Sequence, residues 1–313
     1  MSTQQQILLV VLVAAPIFLF IAIVGGWMWW HLRRKTRRPV TDKLLRAPGE
    51  SLLQRMARFD ERFENSMLLL LLYGPVWFLL FSLFVAFRKG STHLGTEMIG
   101  FAVAMVVVTV ILSLKAIKVL KRYRNDRLGA RGERAVGEEL NKLMLDGCLV
   151  YHDVPGEGEW NVDHVVVAPT GVYAIETKTR SKDRCNKDRK DYEVIYDGKT
   201  LQYPNWNDTH GLDQAKANAR WLAKHLSNAL AEEIKVTPIL TLPGWLVTNR
   251  VKPAGNELRV LNHKQIRSVI VDGREPVIDE SRAKRDAARS SLTQTQIKRI
   301  GYQLELKCRD VEF

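Results

Sequence analysis

Between Asn161 and Lys178 the chain reads NVDHVVVAPTGVYAIETK, which puts two carboxylates and a lysine on one expected β-hairpin. Val162 to Ala168 is rich in β-branched residues and runs into Pro-Thr-Gly, a turn signal, and Val172 to Lys178 follows with strand composition. Side chains alternate along a strand, so Ala174, Glu176 and Lys178 share one face and Tyr173, Ile175 and Thr177 the other. A four-residue loop, Ala168 to Gly171, sets Val167 opposite Val172 and Asp163 opposite Glu176. A three-residue loop sends Asp163 to the other face. Two acids at cross-strand distance repel by some tenths of a kcal/mol unless a cation lies between them. A divalent metal answers that need. Oxygen donors suit magnesium or manganese, and a lysine two residues along can orient the attacking water or a phosphate. The plainer alternative is an ordinary surface ion pair of Lys178 with an acid.

A third acid has the right placement. On a helix expected over Arg131 to Leu145, the residues Val136, Leu140, Leu143 and Met144 make an apolar stripe, and Glu133 falls within it while Glu138 and Glu139 face away. An acid on a core-facing stripe is costly without a cation, although a first-turn Glu is also favoured by the helix dipole. Together, GxxGE (Gly129 to Glu133), Asp163 and the ExK of Glu176-Thr177-Lys178 make the region from about Gly129 to Asn249 resemble the nuclease-related (NERD) domain, a branch of the PD-(D/E)xK nuclease superfamily. The resemblance implies an α/β, restriction-endonuclease-like fold with a mixed central sheet flanked by helices. It also implies metal-dependent hydrolysis of phosphodiester bonds. Asp163 and Glu176 would ligate Mg2+ or Mn2+ with Glu133 assisting, Lys178 would position the water, and Gln214 matches a helix-borne Gln that looks toward the scissile phosphate. The segment YPNWNDTHGLD departs from the Asn-Pro entry of that helix in the family, which loosens the alignment of Gln214.

These residues need elements to hold them. Cys148 to Val154 reads as a strand leading to the hairpin, and Gly156 to Glu159 as a loop whose acids are solvated. A helix over Lys115 to Arg127 is expected to hand over at Gly129 to the one bearing Glu133. After Lys178 comes a basic run, TRSKDRCNKDRKD, suited either to phosphate contact or to a solvated loop. Tyr192 to Tyr196 and Lys199 to Tyr203 flank Asp197-Gly198, the strongest hairpin-turn dipeptide. Leu212 to Leu226 is helical, with a core stripe, a basic face (Lys216, Arg220, Lys224) and a third face of Gln214, Asn218, Trp221 and His225. Val236 to Thr248 reads as one strand interrupted at Pro243-Gly244, and Arg259 to Leu261 as a short edge strand. Asn262 or His263 caps a helix reaching Val271, and Thr293 caps a terminal helix with Ile297, Ile300 and Leu304 on one face. His164, His210 and His225 show no ligand spacing and suit surface or core roles.

The N-terminal third is different. Ile7 to Trp30 and Met67 to Phe87 carry no charged residue, and Met98 to Leu114 is a third uncharged run of 17 residues, at the short limit for a span. Three transmembrane helices forming an all-α bundle are expected, at about 7–30, 67–87 and 98–114. Lys and Arg number ten in residues 31–66, two in 88–97 and seven in 115–131, so the first and third of these segments should be cytoplasmic. The expected location is the inner membrane, with the C-terminal domain in the cytoplasm. Leu52, Leu53, Met56, Phe59 and Phe63 suggest an amphipathic helix between the first two spans. Most of the net charge of +13 lies in those flanks, where it serves topology and anionic lipid headgroups, so it is no argument for nucleic-acid binding. Three cysteines without a CxxC agree with a reducing compartment and give no zinc motif.

The expected organisation is a membrane anchor over 1–128, a nuclease-like domain over 129–250 and an extension over 251–313 that packs on it. Its partners would be nucleic acid, DNA in the first instance, and the membrane. The rival from another class is a catalytically silent binding scaffold or sensor held at the membrane.

Overall fold

A computed structural model describes residues 43–59, 94–158, 160–182, 191–251, 253, 257–272 and 292–311, together with residues 22, 23, 25, 26, 76, 77, 80 and 81. The chain divides into two units, one of Met1–Val40 with Ala57–Tyr123 and the other of Thr41–Met56 with Arg124–Phe313. The elements are β1 (Leu44–Leu45), α1 (residues 50–59), α2 (Leu94–Asn141), β2 (Leu149–Pro155), β3 (Asn161–Ala168), β4 (Gly171–Thr177), β5 (Glu193–Tyr196), β6 (Leu201–Gln202) and β7 (Asn207–Asp208). They continue with α3 (His210–Leu230), β8 (Val236–Thr241), β9 (Leu246–Asn249), β10 (Arg259–Leu261), α4 (Ile266–Ile270), α5 (Gln294–Cys308) and β11 (Arg309–Val311).

The second unit is a mixed α/β structure. Its central sheet has five strands in the order β10-β8-β4-β3-β2, antiparallel through β2, β3 and β4 and parallel from β4 to β8 and β10. A four-stranded sheet runs β7-β6-β5-β9, and β1 pairs with β11. Alternation along the central strands sorts the core. Val165, Val167, Val172 and Ala174 pack with Leu222 and Leu226 of α3 and Ile297, Ile300 and Leu304 of α5. Val166, Tyr173 and Ile175 pack instead with Val136 and Leu140 of α2 and Ile266 and Ile270 of α4. Helices therefore cover both faces, as a sheet with apolar side chains in both directions requires.

Several expectations change. The helix over Lys115 to Arg127 does not hand over at Gly129 but runs on through it as α2. Leu52 lies where a side chain at Gly129 would point, at 3.1 Å from that position, so the glycine serves close packing rather than a break. Val236 to Thr248 is not one interrupted strand. A turn at Pro243-Gly244, with Gly244 at φ +82°, sends β8 into the central sheet and β9 into the four-stranded one. The helix expected over Leu212 to Leu226 extends in both directions to His210–Leu230. Both predicted caps form, Asn262 and Thr293 each closing a reciprocal capping box.

Among the described residues no helix is long and apolar enough to cross a membrane. The spans expected at about 7–30 and 67–87 lie almost wholly outside the described residues. The third falls on α2, where the uncharged stretch of 17 residues ends at Lys115, short of the roughly 20 that a span requires.

Candidate functional site

The hairpin of β3 and β4 closes with Ala168 paired to Gly171 and Val167 to Val172, the register of the four-residue loop. The pairing runs on through His164 and Ile175, and one further step sets Asp163 opposite Glu176. The two strands are tied there by Asp163 itself, whose Oδ2 accepts the Thr177 N–H at 2.7 Å.

Glu176 and Lys178 lie on the same strand face and meet, Lys178 Nζ donating to Glu176 Oε1 at 2.6 Å. The same ammonium donates to Gln214 Oε1 at 2.8 Å, and Asn218 Nδ2, one helical turn further along α3, donates to Glu176 Oε2 at 2.8 Å. Thus α3 lays two amides across the end of β4. Gln214 was singled out by the sequence; Asn218 was given no role. Its spacing of four residues from Gln214 was the available signal.

Glu133 approaches from α2. A closely packed crossing allows it: a side chain at Gly132 would place its first carbon 1.6 Å from Thr179 Oγ1 and 2.8 Å from Thr179 Cβ. Only glycine lets α2 lie against the segment leaving β4. Both glycines of the GxxGE motif therefore have a packing reason, and Glu133 follows directly on the closer one.

All three carboxyls are buried, with relative exposures of 7% for Glu133, 6% for Asp163 and 2% for Glu176. Burial, then Asp153 and Glu176, pushes the Glu133 carboxyl up to about 8. Burial, then Glu176 and Glu133, holds Asp163 well above the usual carboxylate range. Burial raises Glu176 as well, outweighing the opposing pull of Lys178 and Asn218. Among the described residues Glu133 Oε2 is buried without a hydrogen-bond partner. Three acids thus share one lysine, an arrangement that costs stability unless protons or a cation relieve it.

That orphaned oxygen tests whether a metal fits. Among the described residues no three His, Cys, Asp or Glu side chains are gathered so as to hold an ion by themselves. Magnesium does not require three, because it keeps several waters and takes one or two carboxylates. Asp163 and Glu176 are oxygen donors of the kind a hard divalent cation takes, and Glu133 Oε2 is a further oxygen without a partner among the described residues.

Behind Asp163 lies a neutral cross-strand pair. His152 sits opposite His164, with their Nδ1 atoms 2.9 Å apart, and His152 Nε2 is 2.9 Å from Asn141 Oδ1. If Asn141 Oδ1 accepts from His152, then His152 Nδ1 must accept from His164. Burial pushes His152 down to about 4 and His164 well below its ordinary value. Both are core residues. His225 stacks on Trp221 at 5.2 Å, whereas His210 opens α3 and is exposed. The basic run after Lys178 lies outside the described residues from 183 to 190, and so does Glu159.

One acid was missed in the sequence. Asp153 is fully buried, with a φ of 51° in the middle of β2, and the β2–β3 pairing skips it between His152–His164 and Val154–Val162. Arg46 Nη1 and Ser51 Oγ each donate to its Oδ2 at 2.7 Å, and the Ser51 N–H donates at 3.2 Å. Asn161 Nδ2 donates to Oδ1 at 2.5 Å. Arg46 also grips Asp310 through two hydrogen bonds, at 2.7 and 2.6 Å.

Residues 128–243 match the family model described as nuclease-related domain. An uncharacterized protein of Bacillus anthracis is 32% identical over 78 residues, 24% of this chain and 36% of that protein. This chain therefore covers little more than a third of that relative's length. No solved structure matches.

Proposed function

We propose that the second unit is a metal-dependent nuclease that hydrolyses phosphodiester bonds of nucleic acid, DNA in the first instance. One observation carries this reading: Glu133, Asp163 and Glu176 are all buried, Lys178 pairs with Glu176, and Glu133 Oε2 is left without a partner among the described residues. Asp163 and Glu176 would hold Mg2+ or Mn2+ with Glu133 assisting, and a bound ion of this kind supplies a nucleophilic water at neutral pH and charge neutralisation. Lys178 is shared between Glu176 and Gln214, so its ammonium is held by two acceptors at a fixed place beside Asp163. There it can donate to an attacking water or to a phosphate oxygen that gains charge. Gln214 fixes the lysine through its side-chain oxygen. Asn218 keeps the Glu176 carboxylate from rotating. The match of residues 128–243 to the nuclease-related model supports the same reading.

The chain would work at the cytoplasmic face of the inner membrane, against anionic headgroups. Support for this comes from the uncharged runs Ile7 to Trp30 and Met67 to Phe87 and from the ten basic residues of the segment between them. A reporter active only outside the inner membrane should score when fused after Gly95 and stay silent after Phe313; the reverse pattern would sink this topology.

The deciding experiment incubates the full-length chain with single- and double-stranded DNA and RNA, with magnesium or manganese, beside an Asp163→Ala control. Cleavage by the parent that the control lacks is the expected result. A silent scaffold is the second reading, favoured by the absence of a three-ligand cluster among the described residues. Nucleic-acid binding without cleavage under any of these conditions would establish it instead.

A further inference from the structure

Two residues beyond Lys178 the chain enters a cluster of aromatic rings and cations that the hydrolytic site does not use. Tyr203 and Trp206 are stacked at 3.9 Å between centroids with planes 7° apart, and Trp245 meets Tyr203 edge-on at 5.2 Å. The guanidinium of Arg180 lies 5.6 Å from the Trp206 ring and donates to Asp208 at 3.3 Å. Lys182 Nζ lies 5.5 Å from the Trp245 ring. The Trp245 indole N–H donates to the Arg180 carbonyl at 3.3 Å, which fixes the backbone of the strip.

The core explains part of this. Tyr203 and Trp245 are 1% and 2% exposed and belong to the apolar cluster of Leu201, Leu212 and Leu240. Trp206 is outside that cluster and 38% exposed. An indole presented at the surface, already stacked on a buried phenol and accompanied by a guanidinium, has the chemistry of a base-stacking step beside a phosphate contact. The step is also joined to the hydrolytic site from both sides. Arg180 follows Lys178 by two residues, and the segment after Trp206 leads to Gly211, where a side chain would come within 3.1 Å of Lys178 Cγ.

We propose that Trp206, backed by Tyr203 and flanked by Arg180, is a platform for an unpaired base, and that it delivers single-stranded nucleic acid to the site at Lys178. The proposal rests on the reading of the second unit as acting on nucleic acid. Duplex bases are stacked on one another and cannot offer a face to an indole, whereas a splayed strand can. Arg180 exchanges its contacts with Trp206 and Asp208 for a phosphate when a strand binds.

The test is fluorescence anisotropy of the full-length chain with a labelled short oligothymidine and with a labelled hairpin duplex, in EDTA so that nothing is cleaved. The parent should bind the single strand more tightly. Trp206→Ala should weaken oligothymidine binding roughly 5- to 100-fold and leave duplex binding unchanged, with Trp206→Phe retaining part of the affinity. Arg180→Gln should flatten the salt dependence by about one phosphate contact. A parent that prefers the duplex, or single-strand binding by Trp206→Ala and Arg180→Gln equal to the parent's, overturns the platform. Binding in EDTA is blind to hydrolysis, so the two readings fail separately. Intact single-strand preference without cleavage in magnesium or manganese supports the platform and removes the nuclease. Cleavage by the parent with unaltered binding by the variants does the reverse.

Discussion

Asp153 and Asp163 occupy equivalent places on neighbouring strands of one sheet, both buried, and their surroundings are opposite. Asp153 adopts a left-handed backbone and turns to a set of donors: Arg46, Ser51 and Asn161. Asp163, absent with it from the β2–β3 pairing, receives one backbone N–H, with two further acids and a single lysine around it. A positive φ at Asp is uncommon and moderately costly, of order 1 kcal/mol or more, so the backbone of Asp153 is itself informative. It ties Arg46 of the N-terminal strip to the sheet. The neutralised acid is structural. The acids left with too little positive charge are the candidate place for a cation or a substrate.

The largest effect that could break this contrast is on rate. Asp163→Asn should lower the single-turnover cleavage rate by about 10³-fold while leaving the melting temperature unchanged or raised, because it removes a buried charge that lacks a counter-ion. A variant that cleaves at the parental rate would reduce Asp163 to a strand-tying residue. The mirror experiment is Asp153→Ala, which leaves the part-buried Arg46 with Asp310 alone and should destabilise the fold by about 3 kcal/mol in denaturant titration. Its folded fraction should cleave within a few-fold of the parent. If Asp153→Ala instead abolished cleavage without loss of stability, the two acids would have exchanged roles. A smaller effect should follow from Gly132→Ala. The added carbon collides with Thr179 Oγ1 and Cβ, and a short β-branched side chain has little room to yield, so α2 must shift. A destabilisation of about 2 kcal/mol is expected. Displacing Glu133 by a fraction of an ångström to one ångström should also cost up to 10²-fold in rate.

Much of this geometry was legible from short-range pattern. The β3–β4 hairpin is local, its alternation is strong, and the sequence leaves two loop lengths open, of which the structure takes the one that sets Asp163 opposite Glu176. Gln214 and Asn218 share a helix face for the same kind of reason. What could not be read depends on partners distant along the chain. Arg46 meets Asp310 at a separation of 264 residues, so nothing local showed that residues 41–56 belong with the second unit rather than with the N-terminal segment. Gly129 reads as a helix break, since nothing local shows that the remote Leu52 fills the space above it, just as nothing local shows that Thr179 fills the space above Gly132. Pro243-Gly244 reads as an interruption in one strand because local pattern cannot say that the chain changes sheet there. The left-handed turn at Asp153 has no local signal beyond the residue type.

The smallest effect concerns pH, and it separates the two kinds of buried polar group by sign. Glu133 is raised to about 8 and its two neighbours are raised too, so the folded state holds their protons more tightly than the unfolded chain does. Stability from these groups is full below their unfolded value, near 4.5 for Glu133, and is lost as pH rises through about 8. His152 runs the other way. Its value falls from 6.5 to about 4, so its contribution is full above 6.5 and is lost as pH drops toward 4. The metal-free protein should therefore be most stable near pH 6 and lose on the order of 1 kcal/mol toward pH 8. A divalent cation takes the deprotonated acids, so magnesium should raise the melting temperature by about 2–4 °C more at pH 8 than at pH 5.5. Thermal scans of the full-length chain with magnesium or EDTA at both pH values measure this, with Glu133→Gln as the control that should flatten the alkaline loss without any metal. An equal gain at both pH values would place the ion elsewhere. No gain at all would leave the three acids as proton-relieved core groups, and the difference between Asp153 and Asp163 would then be one of packing alone.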